Sequence, residues 1–158
     1  MVLMKETIPL FKVFMSPTAK DKAGEVLDSG YIGQGPKVDE FEKQIGDYFG
    51  NNKVVTTNAG TSALHLALHL LKKPKPNWNE DVFQGVAWVS HNWPGLEDGD
   101  EVLCTAMTCT ASNWPVLANN LKIKWVDIDP KTLNMDLDDL ERKITKKTKV
   151  IMGVHWGG

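Results

Sequence analysis

Segments typical of strands alternate with segments typical of helices over residues 101–154. The predicted elements are a strand at Glu101–Cys104, a helix at Thr110–Ala118, a strand at Lys122–Asp127, a helix at Leu137–Ile144 with Asp136 as its N-cap, and a strand at Lys149–Val154. Single helices between strands imply right-handed crossovers, which make the strands parallel and put helices against both faces of the sheet. The alternation therefore predicts an α/β fold with a mostly parallel sheet.

Two amphipathic helices with a glycine-rich loop between them are predicted for the first fifty residues. One helix begins after Ser16 and runs to about Asp28, and apolar residues spaced by three and four predict a second helix from Lys37 to Phe49. The loop Tyr31–Pro36 holds two glycines and a proline in six residues. This composition predicts an irregular backbone of the kind that often lies beside ligands.

A short turn of small residues joins a predicted strand at Lys53–Thr57 to a predicted helix at Ala63–Leu71. A glycine-containing turn at this position leaves backbone N–H groups free at the positive end of the helix dipole, where a phosphate or carboxylate is stabilised. In this turn Gly60 is followed by the hydroxyl donors Thr61 and Ser62. The spacing also fits a simpler interpretation, in which Thr61 and Ser62 only cap the helix.

Two cofactor classes are disfavoured by what this turn lacks. The G-x-G-x-x-G pattern of dinucleotide-binding proteins is absent from it, and no Gly-Lys-Ser or Gly-Lys-Thr of a P-loop follows the glycine. The turn therefore predicts an anion site of another kind, and its pattern alone does not identify the anion.

Charge and hydropathy exclude several classes of partner. The chain has 158 residues with 18 basic and 20 acidic side chains, and no basic run is longer than the pair Lys146-Lys147, so nothing favours nucleic acid or an anionic membrane surface. No stretch approaches the roughly 18 consecutive apolar residues of a membrane span, and charged residues interrupt the N-terminal apolar run, unlike a signal peptide. We expect the partners to be small molecules or protein subunits.

Histidine and cysteine residues are weaker candidates for a site. His65 and His69 have a spacing that can bind a metal, but no third ligand is evident, so a structural role is favoured and no metal is predicted. Cys104 and Cys109 match neither a redox pair nor a metal-ligand set, which suits a reducing cytoplasm. His155 follows a strand at the end where α/β sheets bind ligands, so it is a candidate functional residue.

Two further segments are interpreted as a turn and as an insertion. Asp127 and Asp129 precede Pro130, an arrangement more typical of a turn than of paired catalytic carboxylates. The stretch Lys72–Asp98 contains three prolines and three tryptophans and shows no sustained period. It is predicted to be an insertion with a short helix around Val82–Val89.

Three segments, taken in order, resemble the DegT/DnrJ/EryC1/StrS family of sugar aminotransferases, which use pyridoxal 5'-phosphate. Ser29–Glu42 is similar to the family's S-G-x-x-x-x-G-P-x-V-x-x-F-E pattern, and Asn58–Leu68 is similar to its G-T-x-A-L-x-L-A-L phosphate turn and helix. The third segment runs from Gly99 to Asp129 and is followed by Val154–Gly158. The residues of this segment are most similar to those of the perosamine-synthase branch, whose members aminate a nucleotide-linked 4-keto-6-deoxy sugar.

The resemblance implies the aspartate-aminotransferase-like fold of type I pyridoxal-phosphate enzymes. Residues 1–50 would form an N-terminal helical segment with an active-site loop, and residues 51–158 would form part of the cofactor-binding large domain, with an insertion at about 72–98. The cofactor contacts that the resemblance implies are Gly60, Thr61, Ser62, Cys109 and His155, and the implied substrate loop contains Gly33, Gln34 and Gly35. Many family members have an aromatic residue stacked on the pyridoxal ring at the position of Cys109, whose polarisable sulfur can also pack against a ring face.

The resemblance also implies that the catalytic lysine lies outside this sequence. That lysine forms a Schiff base with the cofactor, and we expect it beyond Gly158, because no lysine here follows a matching motif. We therefore expect an N-terminal fragment of a cytoplasmic homodimer that transfers an amino group from an amino acid, glutamate, to a nucleotide-linked keto sugar for polysaccharide or lipopolysaccharide synthesis. The alternatives are a dehydratase of the same family, with histidine in place of the lysine, and a non-catalytic fragment.

Overall fold

The computed structural model describes residues 12–73 and 94–157, and the predicted short helix at Val82–Val89 lies outside them. The chain divides into two compact units, Met1–Thr56 and Thr57–Gly158. In the described ranges, none of the helices combines the length and the apolar character that a membrane span requires.

The first unit contains helices α1 (Ala19–Ser29) and α2 (Pro36–Phe49), as the spacing of apolar residues predicts. Helix α1 ends where Gly30 takes a left-handed backbone with a φ of 76°, and the Gly30 N–H donates to the Leu27 carbonyl. Glycine enters this region without the strain that a Cβ would cause. Pro36 occupies the first position of α2, where its fixed φ suits a helix start and its missing N–H leaves no bond unmade.

The second unit contains a parallel sheet and the helices that connect its strands. The described elements, in chain order, are α3 (Gly60–Leu70), β1 (Glu101–Thr105), α4 (Thr110–Ala118), β2 (Lys122–Val126), α5 (Leu137–Lys143) and β3 (Thr148–Met152). Strand β1 is central, with β2 paired parallel to it on one side and β3 on the other. The predicted α/β fold with a parallel sheet is confirmed.

The order of the strands determines where the connecting helices lie. Helix α4 connects β1 to β2, and α5 then connects β2 back across β1 to β3, in the opposite direction. Because crossovers between parallel strands are right-handed, opposite directions put α4 and α5 on opposite faces of the sheet. Helix α3 packs beside α4. The sheet is therefore covered on both faces, as predicted.

Strand β1 is buried on both of its faces. Val102 and Cys104 are buried in one cluster with Leu68 of α3 and Val116 of α4. Leu103 lies between them in the strand and points to the opposite face, where it is also fully buried. A strand with two apolar faces is typical of the centre of a parallel sheet, whose faces are both covered by helices.

The predicted strand at Lys53–Thr57 is wrong: these residues belong to no strand in the described part of the chain. Thr56 donates its backbone N–H and its hydroxyl to the Glu42 carboxylate on α2, at 2.7 and 2.9 Å. The β-branched residues of this segment favour an extended backbone, but a strand also needs a neighbouring strand to bond with. No described strand lies beside this segment to supply those bonds.

The predicted insertion is closed at its base by a close approach of residues 95–97 to residues 71–73. The Lys73 N–H donates to the Leu96 carbonyl at 2.9 Å, and the Leu96 N–H donates to the Leu71 carbonyl at 2.8 Å. Gly95 has a φ of 82°, and a Cβ at this position would lie 2.5 Å from the Lys73 Cα. The two segments can approach this closely only because residue 95 has no side chain.

Asp136 and Asp139 fix the start of α5. Asp136 is its N-cap, as predicted, and accepts the N–H groups of Asp138 and Asp139 at 2.9 and 3.0 Å. Asp139 is buried and accepts the Asp127 N–H at 2.8 Å and the Lys143 ammonium at 2.7 Å. The Asp127 N–H first, and then Lys143, lower the pKa of Asp139 to about 2. This carboxylate therefore joins α5 to the residue that follows β2.

Asp127 and Asp129 form a turn, as predicted. The Asp127 carboxylate accepts the Ile128 N–H at 2.8 Å, and the Asp129 carboxylate accepts the Lys131 N–H at 2.7 Å. The Asp129 carbonyl also accepts the Leu133 N–H at 2.8 Å. Both carboxylates are thus engaged with the local backbone in the way that aspartates hold turns.

Replacing Gly95 by alanine should lower the stability of the chain more than the same change at Gly99. Both glycines have left-handed backbones, with φ of 82° and 90°, and a left-handed alanine costs about 1–3 kcal/mol. Only at Gly95 would the new Cβ also meet backbone atoms, because the nearest atom at Gly99 is the Lys122 Cε at 3.9 Å. Urea denaturation followed by circular dichroism measures both losses, and equal losses would contradict the close approach at Gly95.

Replacing Asp139 by asparagine should lower the melting temperature at neutral pH but not near pH 2. The folded-state pKa of about 2 lies below the ordinary value of 3.8, so the stabilisation is fully present above about pH 4 and is lost as the pH falls toward 2. Thermal unfolding of both proteins across this range measures the effect. The matched control is Asp138→Asn on the exposed side of the same turn, and an equal pH dependence in that variant would contradict the assignment.

Candidate functional site

Two predicted site residues follow strands of the sheet at the ends where the strands finish. Cys109 comes four residues after β1 ends, and His155 comes three residues after β3 ends. The strands are parallel, so their carboxyl ends share one edge of the sheet, which we call the carboxyl edge. Both side chains are exposed there. In open α/β sheets this is the edge at which ligands bind.

The first turn of helix α3 points toward the carboxyl edge, because hydrogen bonds hold the residue after its last turn at the opposite, amino edge of the sheet. Lys72, just beyond α3, donates to the Asp98 carboxylate at 2.6 Å and to the Asn119 carbonyl at 2.8 Å. Asp98 precedes β1 and Asn119 precedes β2, so both lie at the amino edge of the sheet. Eleven helical residues span about 16 Å, which directs the first turn of α3 toward the carboxyl edge.

Contacts between α3 and α4 hold this orientation. The Asn119 side-chain amide donates to the His65 carbonyl at 3.2 Å, and the rings of His65 and Trp114 meet edge to face with centroids 5.5 Å apart. These contacts support the predicted structural role of His65. Within residues 12–73 and 94–157, no group of three or more His, Cys, Asp or Glu side chains is arranged to hold a metal ion.

The first turn of α3 presents three backbone amides without protein acceptors. The helix begins at Gly60, three residues before the predicted start, and its N-cap is Ala59. The interpretation that Thr61 and Ser62 cap this helix is therefore wrong. The Ala63 N–H donates to the Ala59 carbonyl at 3.1 Å, whereas the amides of residues 60–62 have no acceptor in the described part of the chain. Three such amides at the positive end of a helix are suited to an anion.

Hydrogen bonds from side chains of the turn itself stabilise its conformation. The Ser62 hydroxyl donates to the Asn58 side-chain oxygen at 2.8 Å, and the Thr57 hydroxyl donates to the Ala59 carbonyl at 2.9 Å. The Thr61 hydroxyl makes no hydrogen bond to any described residue, so its proton is available to a ligand. The sequence analysis treated Thr61 and Ser62 alike and did not identify Asn58 as the partner of Ser62. The only indication of this hydrogen bond in the sequence is that the two residues are four positions apart, which many unpaired residues also are.

Asn113 adds a polar group that the sequence analysis did not single out. Its side-chain amide donates to the Thr105 carbonyl at the end of β1, at 3.4 Å. Its side-chain oxygen is buried and has no partner among the described residues. Beside it, the hydroxyls of Thr108 and Ser112 share a hydrogen bond of 2.8 Å. The N-terminal half of α4 thus carries an acceptor that a ligand N–H or O–H group could satisfy.

The glycine loop lies in the first unit, between α1 and α2. Gly33 and Gln34 are exposed, and Gly35 is the N-cap of α2. A Cβ at Gly35 would lie 2.9 Å from the Tyr31 Cβ, so the loop depends on a glycine at this position. A cavity of about 330 Å³ lies beside the loop, with Val26, Tyr31, Gly33, Gly35 and Lys37 among its lining residues.

The chain matches a known protein family. The sequence profile of the DegT/DnrJ/EryC1/StrS aminotransferase family matches residues 15–78 and 86–158, which is most of the chain. The chain belongs to this family. The resemblance carried by Ser29–Glu42, Asn58–Leu68 and the segment from Gly99 is thereby confirmed.

Solved and curated members of the family show how much of their length this chain matches. AtS13 from Actinomadura melliaura is 49% identical, with a TM-score of 0.75 over 96% of this chain and 35% of its own. GDP-perosamine synthase from Caulobacter vibrioides is 34% identical over 88% of this chain and 32% of its own. The chain therefore spans about a third of the length of the relatives it matches.

The cofactor of the family is also confirmed. GDP-4-keto-6-deoxy-D-mannose-3-dehydratase from E. coli, solved with bound hydrated pyridoxal phosphate, is 26% identical, with a TM-score of 0.72 over 93% of this chain and 33% of its own. Members of the family depend on pyridoxal 5'-phosphate, as the resemblance implies. Members with this cofactor include both aminotransferases and dehydratases.

Only one of the two cysteines in this family member should react with a thiol reagent in the folded chain. Cys104 is 1% exposed, and burial raises the pKa of its thiol to about 11, whereas Cys109 is exposed at the carboxyl edge. Titration with a chromogenic disulfide at pH 8 should give one fast thiol per chain and two after denaturation. Cys109→Ser should abolish the fast reaction, and a fast thiol that persists in this variant would contradict the placement.

Proposed function

We propose that the protein transfers an amino group from an amino acid, glutamate, to a nucleotide-linked keto sugar with the help of pyridoxal phosphate. The observation that carries this proposal is the set of free amides at Gly60–Ser62, at the carboxyl edge, in a chain of this aminotransferase family. A phosphate carries the charge and the acceptor oxygens that such amides bind. The sugar substrate follows from the relatives, which include GDP-perosamine synthase.

The residues at the first turn of α3 fit the phosphate of this cofactor. Apart from the neighbouring residues of the helix itself, no described atom lies within 4 Å of a Cβ placed on Gly60, so the described residues leave the approach to the amides open. The Thr61 hydroxyl is available as a fourth donor, whereas the Ser62 hydroxyl is engaged with Asn58. We therefore assign the phosphate to the amides of Gly60, Thr61 and Ser62 and to the Thr61 hydroxyl. When bound, the cofactor supplies the carbon centre that takes up the amino group and passes it on.

Other residues of the proposed site are assigned to the cofactor ring and to the sugar. Cys109 and His155 lie at the carboxyl edge and are assigned to the cofactor ring, against which the Cys109 sulfur can pack. The loop with Gly33, Gln34 and Gly35 is assigned to the sugar. We further propose that residues 51–158 form part of the cofactor-binding domain, and residues 1–50 the helical segment that carries this loop.

The proposal also covers the pathway, the cellular compartment and the oligomeric state of the enzyme. Relatives act in the synthesis of spore-coat polysaccharide and of GDP-perosamine, which supports a role in making a surface polysaccharide such as lipopolysaccharide. Both cysteines are free, which suits a reducing cytoplasm. We propose a homodimer as the working form, with no nucleic acid or membrane as partner. The charge balance of 18 basic and 20 acidic side chains supports the last point.

A dehydratase that uses the same cofactor is the second candidate function. The observation that favours it is the similarity to GDP-4-keto-6-deoxy-D-mannose 3-dehydratase, which is 34% identical over 82% of this chain in the Yersinia pseudotuberculosis protein. The two functions differ in the residue that acts on the bound cofactor. We expect a lysine at that position in an aminotransferase and a histidine in a dehydratase, on the far side of Gly158.

Reading the gene past the codon for Gly158 separates these functions. A continuing frame with an aspartate followed by a lysine would support the aminotransferase, and a histidine at the lysine position would support the dehydratase. An immediate stop codon would show that the product lacks its catalytic base. In that case this chain is the non-catalytic fragment, and the proposed activity is wrong for it.

Thr61→Val should weaken the binding of pyridoxal phosphate by about 10- to 100-fold, because it removes one hydrogen bond to a charged group. Thr61→Ser keeps the hydroxyl and should bind like the parent. Ser62→Ala should have the smaller effect, since its hydroxyl already donates to Asn58. Equilibrium dialysis with the product of the complete reading frame measures these constants. Unchanged affinity in Thr61→Val would refute the phosphate assignment.

A further inference from the structure

Glu42 and Thr56, which are not among the residues assigned to the site, are joined by two hydrogen bonds. One oxygen of its carboxylate accepts both the backbone N–H and the hydroxyl of Thr56, at 2.7 and 2.9 Å, across 14 residues of chain. Both residues are half-buried. A half-buried carboxylate that accepts two hydrogen bonds from one residue fixes both the backbone and the side chain of that residue.

This carboxylate has no competing cation in the described part of the chain. The other acidic side chains of α2 that form ion pairs, Glu40 and Asp47, do so with Lys37 and Lys43 at the surface. Glu42 forms no ion pair with a described residue, and the Thr56 N–H, followed by the Thr56 hydroxyl, lowers its pKa below the ordinary value. The charged form of Glu42 is thus stabilised by Thr56 itself.

A second contact shows that the chain doubles back closely along α2. Gly46 is buried, and a Cβ on it would lie 2.9 Å from the Asn51 carbonyl oxygen. The Asn51 N–H donates to the Gly46 carbonyl at 2.9 Å. The segment that follows α2 is therefore fixed at two points, at Gly46 by a close backbone approach and at Glu42 by two hydrogen bonds.

Thr56 lies just before the turn that carries the free amides, so the Glu42–Thr56 contact can affect that turn. Thr56 is four residues before Gly60, and residues 53–57 have no strand in the described ranges to hold them. Downstream, the side-chain hydrogen bonds that the described residues make to the turn come from Thr57 and the Asn58–Ser62 pair, within the turn itself. The Glu42–Thr56 contact is thus the last described hydrogen bond to a distant residue before the free amides begin.

We propose that Glu42 is a positioning residue, which fixes the backbone that enters the turn so that the amides of Gly60–Ser62 converge on the cofactor phosphate. This inference rests on the proposed function, since it takes the phosphate assignment as given. Glu42 acts through Thr56 and does not touch the phosphate. Loss of its carboxylate should therefore reduce affinity for the phosphate group and leave other contacts of the cofactor intact.

The test compares pyridoxal phosphate with pyridoxal, which lacks the phosphate, on the product of the complete reading frame. Glu42→Ala should weaken the binding of pyridoxal phosphate about tenfold, the loss expected for one net hydrogen bond, and should leave the affinity for pyridoxal unchanged. Thr56→Val removes the hydroxyl but keeps the N–H, so its loss should be smaller. Thr56→Ser keeps both donors and should restore the parent affinity. The matched control is Glu40→Gln on the same helix.

The outcomes separate this inference from the assignment on which it rests. If Thr61→Val weakens binding but Glu42→Ala does not, the positioning role is wrong and the phosphate site stands. If neither variant changes the affinity, the phosphate assignment is wrong and the positioning role falls with it. Equal losses for pyridoxal phosphate and pyridoxal would show a merely structural role and overturn the proposal. If Glu42→Ala fails to fold, Thr56→Val gives the same comparison with a smaller expected loss.

Discussion

Strand β1 pairs with β2 on one side and with β3 on the other, and this central position determines where the candidate groups of the second unit lie. Its burial on both faces requires helices above and below the sheet, and α4 and α5 supply them from opposite faces. Parallel pairing then puts the ends of β1 and β3 at one edge. Cys109 and His155, which are 46 positions apart in the sequence, lie at that edge for this reason.

The amides of Gly60, Thr61 and Ser62 lack acceptors in the described part of the chain because the first turn of a helix cannot satisfy its own amides. In most helices a side chain at the N-cap accepts one of these amides, as Asp136 does at the start of α5. At the start of α3 the N-cap is Ala59, which has no such side chain, and the side chains of Ser62 and Asn58 bond to each other. The chain therefore retains unsatisfied amides where a capping residue would have removed one.

The sequence predicted those features that depend on local pattern. The amphipathic helices, the three strands of the sheet and the Asp136 cap each follow from residues within one element, and each is present. The prediction of a strand at Lys53–Thr57 was wrong because a strand needs a neighbouring strand to pair with. The composition of the segment itself does not show whether such a neighbour is present. The roles of Thr61 and Ser62 could not be told apart either, because the difference lies in which hydroxyl Asn58 accepts.

The base of the predicted insertion and the predicted site residue Cys109 lie at opposite edges of the sheet. The base of the insertion, at Lys73, Gly95 and Leu96, is joined through Lys72 to the amino edge, whereas Cys109 lies at the carboxyl edge. Strands of five residues separate these edges by roughly 17 Å. A change at this base would therefore lie at the edge away from the proposed cofactor site. A change at residue 109, in contrast, would act at the edge to which the cofactor is assigned.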